Sequence, residues 1–125
     1  MEDHNVTLAH RNLLGVFGEH DPVTRAAAIR EVYTEDVTFA DPEEVIVGWD
    51  ALDGKVQRLL DEAPGFVFTP VGEVRTVQNL TLLSWHLGPA GAPPVVSGTD
   101  ISIVEDGRIK HLYTMLDAPA AADPA

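Results

Sequence analysis

The hydrophobic period of this chain changes once, at Phe66, and that change decides the class of fold. Before it, apolar residues recur every three or four positions, the spacing of helices with one buried face. Val6, Ala9, Leu13 and Phe17 mark a helix over residues 4 to 18. Asp21-Pro22 reads as an N-cap with proline at the first helical position, opening a second helix to about residue 33. Val37 to Ala40 reads as a short strand ended by Asp41-Pro42, and Glu43 to Val47 as a loop. Gly48-Trp49-Asp50 opens a third helix, with Leu52, Val56, Leu59 and Leu60 as its apolar stripe and Ala63-Pro64-Gly65 as its stop.

From Phe66 onward the period is two. Phe66 to Thr69, Gly72 to Val77, Leu80 to Leu87, Val95 to Val104 and Arg108 to Leu116 all read as strands. The last two flank Asp106-Gly107, a strong hairpin signal. Helices first and antiparallel strands after mean an α+β fold, with three N-terminal helices packed on one face of a strongly curved, mostly antiparallel sheet. A bent sheet with helices across its mouth leaves a conical cavity, where small ligands bind. The 125 residues suffice for one domain, 1–117, followed by an Ala/Pro-rich tail, 118–125, that reads as disordered.

The formal charge of −12, from 20 acidic and 8 basic residues, argues against nucleic acid and against anionic membrane surfaces. No apolar run is long enough to span a bilayer and the first residues are not signal-like, so a cytoplasmic protein is the default expectation. There is no cysteine, and no histidine pairs with an acid at helical spacing, so no metal signature is visible. Neither a phosphate-binding glycine loop nor a nucleophile elbow occurs.

Three segments resemble the nuclear transport factor 2-like superfamily and, within it, the SnoaL-like polyketide cyclases and ketosteroid isomerases. Tyr33 to Pro42 is similar to that superfamily's junction from helix to first strand. Gly48-Trp49-Asp50-Ala51-Leu52 is similar to the Gly-x-x-Ala-Leu start of its third helix, and Gly98 to Ile109 to its last hairpin. The resemblance implies the cone-shaped fold and a set of roles. Asp41 sits where ketosteroid isomerases hold the carboxylate that shuttles the proton. Asp100 matches their protonated oxyanion-hole aspartate and the catalytic acid of the cyclases, and Tyr33 a pocket tyrosine. The chain departs from the isomerases where their oxyanion-hole and supporting tyrosines would fall, near Leu13 or Leu14 and near Val56. Losing one such donor costs roughly 10²-fold in rate, which argues against steroid isomerisation. The arginine between two aspartates that marks limonene epoxide hydrolases is also missing.

Alternation alone makes Ile101 and Ile103 core and turns Asp100 to solvent. The resemblance reverses this, because one face of such a sheet lines the cavity while the other often meets a second subunit. Asp100 would then face the cavity, and the isoleucines a homodimer contact. Trp85, Leu83, Leu112, Phe17 and Leu13 would shape a pocket for a small hydrophobic ligand. His86 falls on the outer face, as an interface or surface residue. The reading is cofactor-independent acid/base chemistry on a small hydrophobic carbonyl compound, with Asp100 as acid, Asp41 as base and Tyr33 in support. The alternative is a non-catalytic ligand-binding or accessory domain of the same fold.

Overall fold

The computed structural model of the chain describes residues 3–117, so the tail read at 118–125 lies outside the described residues. Helix α1 (His4–His10) runs straight into a stretch of wider, π-type turns (Arg11–Phe17). Helix α2 (Pro22–Val32) follows, then strands β1 (Tyr33–Ala40) and β2 (Val45–Val47), helix α3 (Trp49–Glu62), and strands β3 (Phe66–Val77), β4 (Leu80–Pro89), β5 (Val96–Glu105) and β6 (Arg108–Leu116). The six strands form one curved sheet in the order β2-β1-β6-β5-β4-β3, with the helices beside it. All neighbours are antiparallel except β1 and β6, which run parallel. The α+β architecture expected from the change of period is the one observed.

The π-type turns have a cause in the sequence. The buried residues of the first helical segment recur every four positions: Leu8, Asn12, Val16 on one line and Ala9, Leu13, Phe17 on another. An α-helix of 3.6 residues per turn would rotate such lines by about 40° at each step. Wider turns take up that drift and keep both lines facing the sheet. Asp21 caps α2 as expected, its carboxylate accepting from the Thr24 backbone N–H at 2.8 Å.

Two boundaries differ from the sequence reading. Residues 45 to 47, read as part of a loop, pair with β1 as strand β2, with Thr38 opposite Val47. Their Val-Ile-Val composition suits a strand, and Asp41 shapes the turn before them. The two strands read at 66–69 and 72–77 are one strand. Its register slips between Val71 and Arg75, where three residues of β3 lie opposite the single Leu83 of β4. The bulge keeps the ladder continuous and bends the strand.

The register of the last three strands positions the site. Thr114 of β6 stands opposite Asp100 of β5, and Trp85 of β4 stands opposite Gly98, two residues before Asp100. Asp100, Ser102 and Val104 are buried, whereas Ile101 and Ile103 are half-exposed on the other face. A Cβ at Gly98 would lie 2.6 Å from Trp85 Cζ2 and 2.7 Å from the Met115 carbonyl oxygen. The missing side chain is therefore what lets the indole lie across β5 toward Asp100. Gly98→Ala is expected to lose about 1–3 kcal/mol of stability in urea unfolding, through overpacking against the indole and the β6 backbone. Unchanged stability would contradict this placement of Trp85.

Candidate functional site

The helices and the inner face of the sheet enclose a cavity of about 250 Å³, slightly below the usual range for drug-sized ligands. Its walls are almost wholly apolar. An aromatic series runs along it: Phe17 lies 5.7 Å from Phe39 and 6.4 Å from Phe68, and Phe68 meets Trp85 edge-on at 5.3 Å. Such tilted and edge-on pairs fix ring orientation as well as filling space. Leu59 and Leu60 of α3 close the side opposite the sheet.

Asp100 is the carboxyl that the sheet brings to this cavity, and it is 7% exposed. Three donors meet it. Oδ1 accepts from the Trp85 indole N–H at 3.0 Å and from the Thr114 hydroxyl at 2.7 Å. Oδ2 accepts from the Asn12 amide at 2.9 Å. Burial raises the Asp100 pKa above the ordinary aspartate value, and the hydrogen bonds from Thr114, Trp85 and Asn12 hold back part of that rise.

Asn12 is held in turn. Its Oδ1 accepts a short hydrogen bond from the Tyr33 hydroxyl, which leaves its Nδ2 turned toward Asp100. Tyr33 is fully buried, and burial together with the Asp100 charge pushes its pKa well above the usual phenol value. It therefore stays a donor, reaching the carboxyl through Asn12 rather than touching it directly.

The residues expected from the sequence divide into two groups. Asp100, Trp85, Phe17 and Leu13 line the cavity. Leu83 packs behind the wall against Leu13 and Trp85, and Leu112 lies in the main core with Ile109 and Phe39, so both shape the cavity from behind rather than lining it. His86 stands opposite Thr69 and Ser97 in the ladders and borders a shallow depression on the outer face.

Asp41 reaches the rim, but its carboxylate is already committed. Oδ2 pairs with Lys55 Nζ at 2.9 Å, while Oδ1 accepts from the backbone N–H groups of Glu43 and Glu44 at 2.9 and 3.1 Å. Burial raises its pKa, but these contacts outweigh that and hold it below the ordinary value. Lys55, 2% exposed on α3, also meets Glu43 and Glu44 at 3.0 Å each. Burial alone would lower its pKa; the three carboxylates raise it instead. Asp41 and Lys55 thus tie the β1–β2 turn to α3, and a carboxylate so engaged is a poor proton acceptor.

Sequence reasoning missed Asn12 and Lys55. Asn12 carried a signal: it is the polar member of an otherwise apolar line with Leu8 and Val16. Lys55 carried none, since its partners lie eleven to fourteen residues away in a turn whose shape the sequence does not show. Among the described residues, no cluster of His, Asp and Glu has the geometry to hold a metal ion, and no helix is long and apolar enough to cross a membrane.

The fold is shared with known proteins. The sequence profile of the SnoaL-like domain matches residues 10–112. The chain belongs to the SnoaL-like domain family. Among solved structures it is similar to a candidate isomerase of the SnoaL-like family from Agrobacterium tumefaciens, with 24% identity and a TM-score of 0.85 over 92% of this chain and 98% of that one. A candidate SnoaL-like polyketide cyclase from Jannaschia sp. shares 16% identity and a TM-score of 0.75 over 91% and 85% of the two chains. A candidate ketosteroid isomerase from Kribbella flavida shares 19% identity and a TM-score of 0.69 over 98% and 84%. At these identities the likeness establishes the fold, and chemistry must be argued from the site. No curated protein sequence matches the chain.

The hydrogen bonds on Asp100 make a prediction about its titration. Asn12→Leu removes a donor that favours the charged form while keeping side-chain volume. A hydrogen bond to a charged group is worth about 1.5–3 kcal/mol, so the Asp100 midpoint should move up by about 1–2 pH units in a ¹³C carboxyl titration. A midpoint that stays or falls would contradict the assignment. The two aspartates also act oppositely on stability. Asp100 holds its proton to higher pH when folded than when unfolded, so its contribution falls as pH rises from its unfolded pKa through its folded one. Asp41 is shifted down, so its contribution is present above its unfolded pKa and is lost as pH falls through its folded one.

Proposed function

We propose that this SnoaL-like chain is a small-molecule enzyme that works by acid/base chemistry, without a cofactor, on a small hydrophobic carbonyl compound. One observation carries the reading: the Asp100 carboxyl, held by three donors, lies on the wall of an apolar cavity with its pKa raised by burial. The neighbours' names, isomerase and polyketide cyclase, favour the same class.

With Asp41 bound to Lys55, the two-carboxylate scheme contracts to one residue. Asp100 in its ionised form takes the proton beside the carbonyl, becomes a neutral acid, and returns that proton at another carbon. This is the sequence an isomerisation requires, and the proton balance closes on one group. Trp85 and Thr114 steady Oδ1 and Asn12 steadies Oδ2, so the carboxylate meets the substrate in one orientation. Asn12, oriented by Tyr33, sets the direction of Oδ2. Aldol-type cyclisation needs a donor to the second carbonyl as well, which neutral Asp100 could supply.

The exposed outer face is proposed as the surface on which two copies meet. Ile101 and Ile103 lie there beside the exposed Tyr113 and Met115. Sedimentation velocity should give a dimer for the wild type and a monomer for Ile101→Glu with Tyr113→Glu; a monomeric wild type would reject the surface.

Exchange of carbon-bound hydrogen tests the chemistry without knowledge of the substrate. Small hydrophobic ketones incubated with the protein in D₂O should gain deuterium beside the carbonyl. Asp100→Asn should slow this about 10²- to 10⁴-fold, the usual contribution of a positioned base. If ligands stabilise the protein while wild type and Asp100→Asn show the same background exchange, the domain binds without catalysing.

A further inference from the structure

We infer that the compound this cavity takes carries a basic nitrogen, and that its ammonium group sits on Oδ2 of Asp100. The Trp85 N–H, the Thr114 hydroxyl and the inward Asn12 N–H all point at Asp100. The Tyr33 hydroxyl, which might otherwise have served a ligand, is spent on Asn12. Among the described residues, the remaining polar side chains on the cavity lining are Asp41, Glu43 and Glu62, all acids at the rim, and no Lys, Arg or His lines it.

An ionised Asp100 therefore offers a ligand acceptors only. Oδ1 already takes two hydrogen bonds, while Oδ2 takes one and keeps a free lone pair. The complementary ligand group is a donor. Charge selects which donor. The carboxyl lies among apolar walls, where a counter-ion is worth more than in water. Lys55 spends its charge on Asp41, Glu43 and Glu44, so it offsets the rim acids without supplying a free cation. The chain as a whole carries −12, so anions are repelled on approach and cations are drawn in. The aromatic walls add a second preference of the same sign, because ring faces attract ammonium groups.

The inference rests on the proposed function only in placing the ligand in the same cavity, and it adds something that reading lacks. Removing a proton beside a carbonyl builds negative charge, and among the described residues no cation lines the cavity to offset it. An ammonium on the substrate would supply that charge.

Three probes on one hydrocarbon frame test it: benzylamine, benzyl alcohol and benzoate, each titrated into the full chain at pH 7.5 by calorimetry. Benzylamine should bind in the millimolar range, at least tenfold tighter than benzyl alcohol, and benzoate should not bind. Asp100→Asn should bring benzylamine to the level of benzyl alcohol. If that variant does not fold, Trp85→Phe gives a second reading: freeing a lone pair on Oδ1 should leave the preference for amine over alcohol at least as large. Equal or tighter binding of benzyl alcohol, any binding of benzoate, or no binding of benzylamine would overturn the inference. None of these measurements needs turnover. Absent deuterium exchange with intact amine selectivity therefore sinks the catalytic reading alone, and exchange without amine selectivity sinks this one alone.

Discussion

The Asp100 carboxyl sits where a carboxyl should not be at ease, on the wall of an apolar cavity, and the site follows from how the chain accommodates it. Desolvating an ionised carboxylate costs several kcal/mol even after the protein relaxes. Here three hydrogen bonds, from the π-type turns, β4 and β6, offset part of that cost. They do not cancel it, and the net effect is a raised pKa. A group balanced this way holds its proton to higher pH than a surface aspartate does. The contrast with Asp41 is instructive. The same side chain at the rim, given a buried lysine and two backbone donors, has its pKa lowered and secures a turn.

Each donor to Asp100 imposes a demand on the sequence some distance away. Trp85 can reach across β5 only because position 98 has no side chain. Thr114 arrives through the register of the β5–β6 hairpin, which the Asp106-Gly107 turn and the extra residue Lys110 on β6 set together. Asn12 arrives through the wide turns of the first helical segment, and Tyr33, the first residue of β1, fixes which end of its amide faces the carboxyl. A glycine, a hairpin turn, a four-residue helical repeat and a strand start thus converge on one functional group.

That distribution explains what was legible in the sequence. The change from a period near four to a period of two gave the layer architecture, and alternation on β5 put Asp100 and the isoleucines on opposite faces. Alternation could not say which face was inside, since a sheet with helices on one side leaves the other side's apolar residues to read as core. The family resemblance supplied that direction. Trp85 was readable as an apolar wall, but its role as a donor depends on a diagonal contact over Gly98 that only the register reveals. Asn12 shows in the sequence as a polar break in an apolar line. The commitment of Asp41 to Lys55 depends on a turn joining β1 to β2, where residues 45 to 47 carry too short an apolar run to mark a strand by period.

One structure drives the two aspartates in opposite directions, raising the pKa of Asp100 and lowering that of Asp41. A residue-resolved ¹³C titration of the side-chain carboxyls measures both at once. Asp100 should titrate above the ordinary aspartate value of about 3.9 and Asp41 below it. Coincident midpoints, or the reverse order, would contradict the account.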